Sequence, residues 1–252
     1  MFKLVNFVAA ATAVASLAAC GGGGGGSSAP VPNAVVEGVW SGTSSSGYTL
    51  NTLVLENNAA YSMFGTIVGT TFAVVGFDQG AFAVSGNSIS GTVREYLYNG
   101  VTATGTVSGT ATTGTSINGS TLYNGTTTTF SLTPIASSTY NYSTPAAISD
   151  VSGSWTGTML NGTAATVAIS VGGAVTGTNG GCSFTGTALP RASGKNVFDV
   201  NITFGASPCA LPGQTATGIA IDYAITGTAL KQLLVAVQDS TKANGTMFIA
   251  QR

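Results

Sequence analysis

Side chains able to do chemistry are sparse in this sequence, and one kind is missing. The 252 residues contain no histidine, which removes the usual general base near neutral pH and the commonest metal ligand. Serine is plentiful, but without histidine a Ser-His-Asp triad cannot form. A Ser-Lys arrangement would need Lys195, Lys231 or Lys242, and none of them completes a Ser-x-x-Lys phrase. The acids are Glu37, Glu56, Asp78, Glu95, Asp150, Asp199, Asp222 and Asp239, and no two fall in an acid–base motif. Strand alternation turns Asp199 and Asp222 outward, which argues against a glycosidase pair. No catalytic residue, metal ligand or cofactor is therefore expected, and the chain reads as a non-enzyme. The remaining reactive groups are three cysteines, Cys20, Cys182 and Cys209.

The composition narrows the setting. Hydrophobic residues make up 44% of the chain, enough for a packed core, whereas charged residues make up only 6%, against about 25% in ordinary soluble domains. Thr, Ser, Gly and Asn supply the polar surface. The net charge is −1 with no run of Lys or Arg, so an electrostatic grip on nucleic acid is not expected.

The first of the cysteines stands in a telling place. Met1-Phe2-Lys3 gives a short positive start, and Leu4 to Ala15 is apolar apart from Asn6 and Thr12. Leu17-Ala18-Ala19-Cys20 follows, and then a glycine run from Gly21 to Gly26. The apolar stretch is too short to span a bilayer, which takes about 20 residues, and fits a signal peptide. Leu-Ala-Ala-Cys at its end resembles the lipobox of bacterial lipoproteins. The resemblance implies cleavage after residue 19, a lipidated Cys20 carrying acyl chains such as palmitate, and a cell-envelope location. Two or more acyl chains anchor stably where one does not. Gly21 in place of an inner-membrane retention Asp favours the outer membrane of a Gram-negative cell. Residues 20–34 then read as a Gly/Ser/Pro tether that cannot fold, because glycine loses the most backbone entropy and buries no side chain. With Cys20 lipidated, Cys182 and Cys209 are left with one pairing, and an oxidising compartment makes it a disulfide.

Beyond the tether one phrase occurs twice. Val36-Glu37-Gly38-Val39-Trp40-Ser41-Gly42-Thr43 recurs as Val151-Ser152-Gly153-Ser154-Trp155-Thr156-Gly157-Thr158, and these hold both tryptophans of the chain. The spacing suggests two related lobes, 35–142 and 143–252. Between the landmarks run short alternating segments and Asn-Gly turns, at Asn99-Gly100, Asn118-Gly119, Asn124-Gly125, Asn161-Gly162, Asn179-Gly180 and Asn244-Gly245. That dipeptide accepts the positive φ of hairpin turns. The second half predicts strands over 153–160, 164–171, 173–178, 183–189, 196–204, 216–226, 229–238 and 244–251. The first predicts strands over 36–43, 48–56, 59–66, 69–76, 80–85, 88–98, 101–116 and 121–133, with a hairpin inside 101–116. Period two with no long helix predicts an all-β fold of two up-and-down antiparallel barrels. Thr144 and Pro145 predict the cap and first position of a helical turn just before the second tryptophan.

A Gly-x-Trp on the first strand, after a short helical turn and before an antiparallel barrel, resembles the calycin superfamily of lipocalins and avidins. The resemblance implies the barrel shape, not biotin or retinoid binding. The late-strand arginine that packs on the tryptophan in lipocalins has no match by motif, and Lys231, Lys242 and Arg252 are the late basic residues. With the lipobox and polyglycine, the chain otherwise resembles uncharacterised outer-membrane lipoproteins of Gram-negative bacteria.

These readings converge on a lipid-anchored envelope protein with a non-enzymatic binding or structural role. Its expected contacts are the membrane through Cys20 and either a protein partner or a small apolar ligand. The alternative is an inhibitor or partner of a periplasmic or secreted enzyme, for which an exposed Arg94-Tyr96-Tyr98 stripe or the rim loop 205–215 could serve. An apolar-walled cavity would favour a ligand, and a filled barrel with an exposed patch a protein partner. Two convergent buried carboxylates would favour chemistry.

Overall fold

The two Gly-x-Trp phrases each begin a barrel, and their glycines show why the phrase repeats. Gly38 and Gly153 have φ of +135° and +114°, backbone that L side chains rarely adopt. The tryptophan two residues later turns into the barrel, 2% exposed for Trp40 and 0% for Trp155. Its indole Nε1 donates to a carbonyl four residues upstream, Val36 at 2.9 Å and Val151 at 2.7 Å. Two residues further on, Gly42 and Gly157 lie where the first strand meets the last. A Cβ there would sit 1.8 Å from the Ser131 carbonyl oxygen and 2.1 Å from that of Ile249. The phrase therefore encodes an entry kink, a core plug and a closing seam.

The computed structural model describes residues 32–68, 71–225 and 228–252. The segments expected to be a signal peptide (1–19), a lipidated Cys20 and a tether lie, up to residue 31, outside the described residues. In the first half the strands are β1 (Gly38–Ser44), β2 (Thr49–Val54), β3 (Ala59–Val68), β4 (Thr71–Ala81), β5 (Ala83–Ser85), β6 (Ser88–Leu97), β7 (Thr102–Thr112), β8 (Ser116–Tyr123) and β9 (Thr126–Pro134). They pair in the order β4-β3-β2-β1-β9-β8-β7-β6, β4 pairs with β6 to close the ring, and β5 is a short addition to β6. A helical turn, α1 (Ile148–Val151), leads into β10 (Gly153–Met159), β11 (Ala164–Ile169), β12 (Ala174–Asn179), β13 (Cys182–Pro190), β14 (Phe198–Phe204), β15 (Thr215–Ala224), β16 (Lys231–Asp239) and β17 (Gly245–Gln251). These eight close a second barrel in sequence order. Closure pairs the ring strands on both sides, which removes the long edges another chain could pair with.

The described part of the chain is thus all-β, in two closed antiparallel barrels. Some local expectations need correction. The helical turn starts at Ile148, with Ala147 at its N-cap and no side-chain cap, so Thr144 and Pro145 do not begin it. The predicted break between 76 and 80 is absent, because β4 runs through Phe77-Asp78-Gln79. The segment 101–116 is the hairpin β7–β8, paired Thr112 with Ser116 across its turn.

Packing between the barrels explains the largest errors of facing. Ile219, Ile221 and Tyr223 point out of the second barrel, and with Leu234, Ala236 and Met247 they meet Leu53, Tyr61, Met63, Phe77 and Tyr96 of the first. Asp222 is therefore turned inward and not outward. It is 8% exposed, and its carboxylate accepts from Lys231 Nζ at 3.3 Å, which also reaches Asp150 at 3.1 Å. Asp199 does face outward, paired with Arg191. Tyr96 is no part of an exposed stripe. It is 1% exposed, stacks on Phe77 at 4.7 Å, and its hydroxyl donates toward Gln238 Oε1 and the Lys242 carbonyl of the second barrel. Only Tyr98 of that row stands in solvent, while Arg94 donates to Thr102 and Thr104 beside it.

The joining segment is a wedge. Tyr140 and Tyr142 are buried with Leu55, Val197 and Ile219, and the Tyr140 hydroxyl donates to the Asn196 carbonyl. Arg191 bridges Glu56 of the first barrel and Asp199 of the second, and Lys195 pairs with Glu37 at 2.7 Å. Cys182 and Cys209 form a disulfide. It ties the start of β13 to the loop after β14. For a loop of 27 residues, restricting the unfolded chain contributes about 3 kcal/mol.

Candidate functional site

The interiors of the two barrels are filled differently. In the second, Trp155, Val167, Ile169, Val175, Phe184, Phe198, Val200, Ile202 and Phe248 meet in the middle and leave a void of only about 50 Å³. In the first, Trp40, Val36, Ile89, Val107, Ala111 and Ile117 fill the end where β1 begins. Beyond them, toward the β1–β2 turn, lies a cavity of about 240 Å³ that reaches the surface beside Ser46. Leu50, Phe64, Phe82, Val93 and Phe130 give it apolar walls. Its polar groups are the hydroxyls of Ser44, Thr52, Ser62, Thr121, Thr128, Tyr48 and Tyr123, and the carboxyls of Asp78 and Glu95.

The two acids are brought together by register. β4 and β6 pair antiparallel with Asp78 opposite Glu95, and directly opposed residues have Cβ atoms about 5 Å apart. Both side chains line the cavity. Tyr123, on β8 across the barrel, donates its hydroxyl to Asp78 Oδ1 at 2.9 Å. That tyrosine lies against Gly105 of β7, where a Cβ would come 2.5 Å from its ring. A side chain at 105 would push Tyr123 off the carboxylate. Beside them Thr52 and Ser62 share a hydrogen bond of 2.7 Å.

The electrostatics follow from this placement. Burial behind the barrel wall pushes the Asp78 carboxyl up to about 7, against the pull of the Tyr123 hydroxyl and with the help of the Glu95 charge. Glu95 is raised as well, by burial, and the same surroundings raise Tyr123. Among the described residues no Lys or Arg lines the cavity. The site can therefore hold a proton at Asp78 near neutral pH, or a positive charge between the two acids. Among the described residues, the side-chain hydrogen bond that Asp78 accepts comes from Tyr123.

No motif pointed to this pair. Asp78 and Glu95 are 17 residues apart in sequence, and Phe77-Asp78-Gln79-Gly80 reads locally as a break between strands. Arg252 was also missed as a partner of tryptophan. Its guanidinium lies 4.1 Å from the centre of the Trp155 ring and donates to the Asp150 and Ser152 carbonyls. An arginine, Arg252, thus stacks on the tryptophan of the second barrel. The disulfide-pinned loop, Gly205 to Gln214, borders a separate open groove of about 530 Å³ that also includes Tyr98, Leu160 and Asn244 and carries no charged side chain. A crevice of about 190 Å³ between the barrels, around Tyr61, Tyr140 and Tyr223, is likewise uncharged.

Fold and cavity together define a protein of paired closed barrels, one hollow and one filled. No protein-family model matches the chain, and no curated protein sequence does. Among solved structures it is similar to the isotype 1 transferrin binding protein B from serogroup B Neisseria meningitidis, at 12% identity and a TM-score of 0.29. The match covers 82% of this chain and 66% of that one, just under two thirds of its length.

Proposed function

We propose that this chain is a lipid-anchored cell-envelope protein whose first barrel binds a small ligand in its interior. The contrast between the interiors carries the reading. Two barrels built on the same opening phrase enclose about 240 Å³ and about 50 Å³. Only the larger space has convergent polar groups on apolar walls, the pattern of small-molecule sites. The second barrel is a support, packed side by side with the first through their outer faces. The lipobox-like Leu17-Ala18-Ala19-Cys20 supports an anchor on a membrane, the outer one in a Gram-negative cell, with the polyglycine as its leash.

Two experiments test the parts separately. Cys20→Ser should release the protein from membranes or leave an uncleaved precursor; a processed variant that still fractionates with membranes would contradict the anchor. For the site, a fluorinated fragment panel read by NMR should give hits on the wild-type protein. Filling the cavity with Thr121→Trp should abolish most of them without loss of fold. Hits indifferent to that substitution would place binding elsewhere.

A further inference from the structure

Every titratable side chain in the first barrel's cavity is an acid or a phenol: Tyr48 before β2, Asp78 on β4, Glu95 on β6 and Tyr123 on β8. Two carboxylates directly opposed across a ladder repel in a space screened from bulk water, and one of them takes up a proton unless a positive charge enters. Asp78 Oδ1 is held by Tyr123, which fixes the carboxylate plane and leaves Oδ2 without a hydrogen-bond donor among the described residues. Glu95 likewise accepts no side-chain hydrogen bond among them. The acceptors are in place, and among the described residues the cavity has no cationic donor.

We propose that the first barrel takes a small protonated amine on an apolar, preferably aromatic, body, with its ammonium group between Asp78 and Glu95. This deepens the ligand-binding reading above and rests on it. The donor set favours an ammonium over a divalent metal ion. Calcium takes about six to eight oxygen ligands, whereas among the described residues no third acid joins the pair, and the cavity's walls include the rings of Phe64, Phe82 and Phe130. Those rings suit the body of the ligand, and aromatic faces also attract an ammonium. Size sets the rest. An apolar cavity of roughly 150 Å³ accepts benzene, so about 240 Å³ accommodates one ring with a short aminoalkyl arm.

The test compares three probes of one shape on the purified full chain by calorimetric titration at pH 8. Phenethylammonium is expected to bind roughly ten- to hundredfold tighter than phenethyl alcohol, the range of a charge-assisted hydrogen bond, and phenylacetate not measurably. Asp78→Asn and Glu95→Gln, each checked for fold by circular dichroism, should bring phenethylammonium down toward the alcohol. Its binding should also weaken as pH falls below about 7, where a proton competes for Asp78, while that of the alcohol stays level. Alcohol binding equal to or tighter than phenethylammonium binding would overturn the amine proposal and leave the ligand cavity standing. Binding of none of the three would overturn both.

Discussion

Trp155→Ala is expected to lower the free energy of unfolding by about 3–5 kcal/mol, the range for removing a large aromatic from a packed core. The indole is fully buried among Val151, Val167, Phe198 and Phe248, and no neighbour can collapse into its volume across a closed barrel. Two polar ties go with it. The Val151 carbonyl loses the Nε1 donor at 2.7 Å, and the Arg252 guanidinium loses the ring face it lies on. Arg252→Ala removes only the second tie and its bonds to Asp150 and Ser152, and should cost about 1–2 kcal/mol. Urea denaturation monitored by far-ultraviolet circular dichroism measures both. A loss below about 1 kcal/mol for Trp155→Ala would contradict its role as the plug.

Leu234→Arg is expected to uncouple the barrels. Leu234 points out of β16 and is 8% exposed, enclosed with Met63, Phe77 and Met247 by the facing barrel. An unpaired charge there costs about 3 kcal/mol or more if the interface stays shut, so the interface should open instead. Opening exposes Tyr61, Phe77, Tyr96, Ile221 and Tyr223 together. The wild-type chain should unfold in one calorimetric transition, because each barrel covers an apolar face of the other. The variant should show two transitions and a larger radius of gyration. Leu189→Arg is the control, since Leu189 is already 47% exposed and should change little. Identical behaviour of the two variants would contradict the packed interface.

Much of the fold was legible in the sequence because barrels are written locally. In the second half each expected strand lies within two residues of an observed one, since turn residues and period-two alternation both report on neighbours a few positions away. The tryptophans were legible from the repeated phrase, and the cysteine pair because one pairing is left once Cys20 is set aside. Facing was not. The outward facing expected of Asp199 holds, with Phe198, Val200 and Ile202 inside the barrel, yet the equally clear alternation of Ile219, Ile221 and Tyr223 marks an outer surface covered by the other barrel. Periodicity reports that a face is buried, not what buries it. Asp222 was misplaced with that face, and Tyr96 was read as exposed because its cover comes from residues over a hundred positions later.

The candidate site lay further from reach. Asp78 sits where Gln79 and Gly80 imitate a turn, and its neighbour Glu95 is set by the β4–β6 register that closes the first barrel. No spacing rule supplies that pairing, because the strand between them in sequence, β5, pairs only with β6. The cavity itself follows from absences at interior positions. Gly80 and Gly105 carry no side chain, and Tyr123 uses the room over Gly105. Volume of this kind depends on all eight strands at once.

The central claim is that one barrel is hollow and its partner filled. A crystal structure of the protein at high resolution, soaked with phenethyl alcohol, tests it most directly. The account predicts ordered solvent or the soaked molecule inside the first barrel, within reach of Asp78 and Tyr123, and none inside the second. A first barrel closed over its own Phe64, Phe82 and Phe130 side chains, with no room beside the two acids, would contradict it.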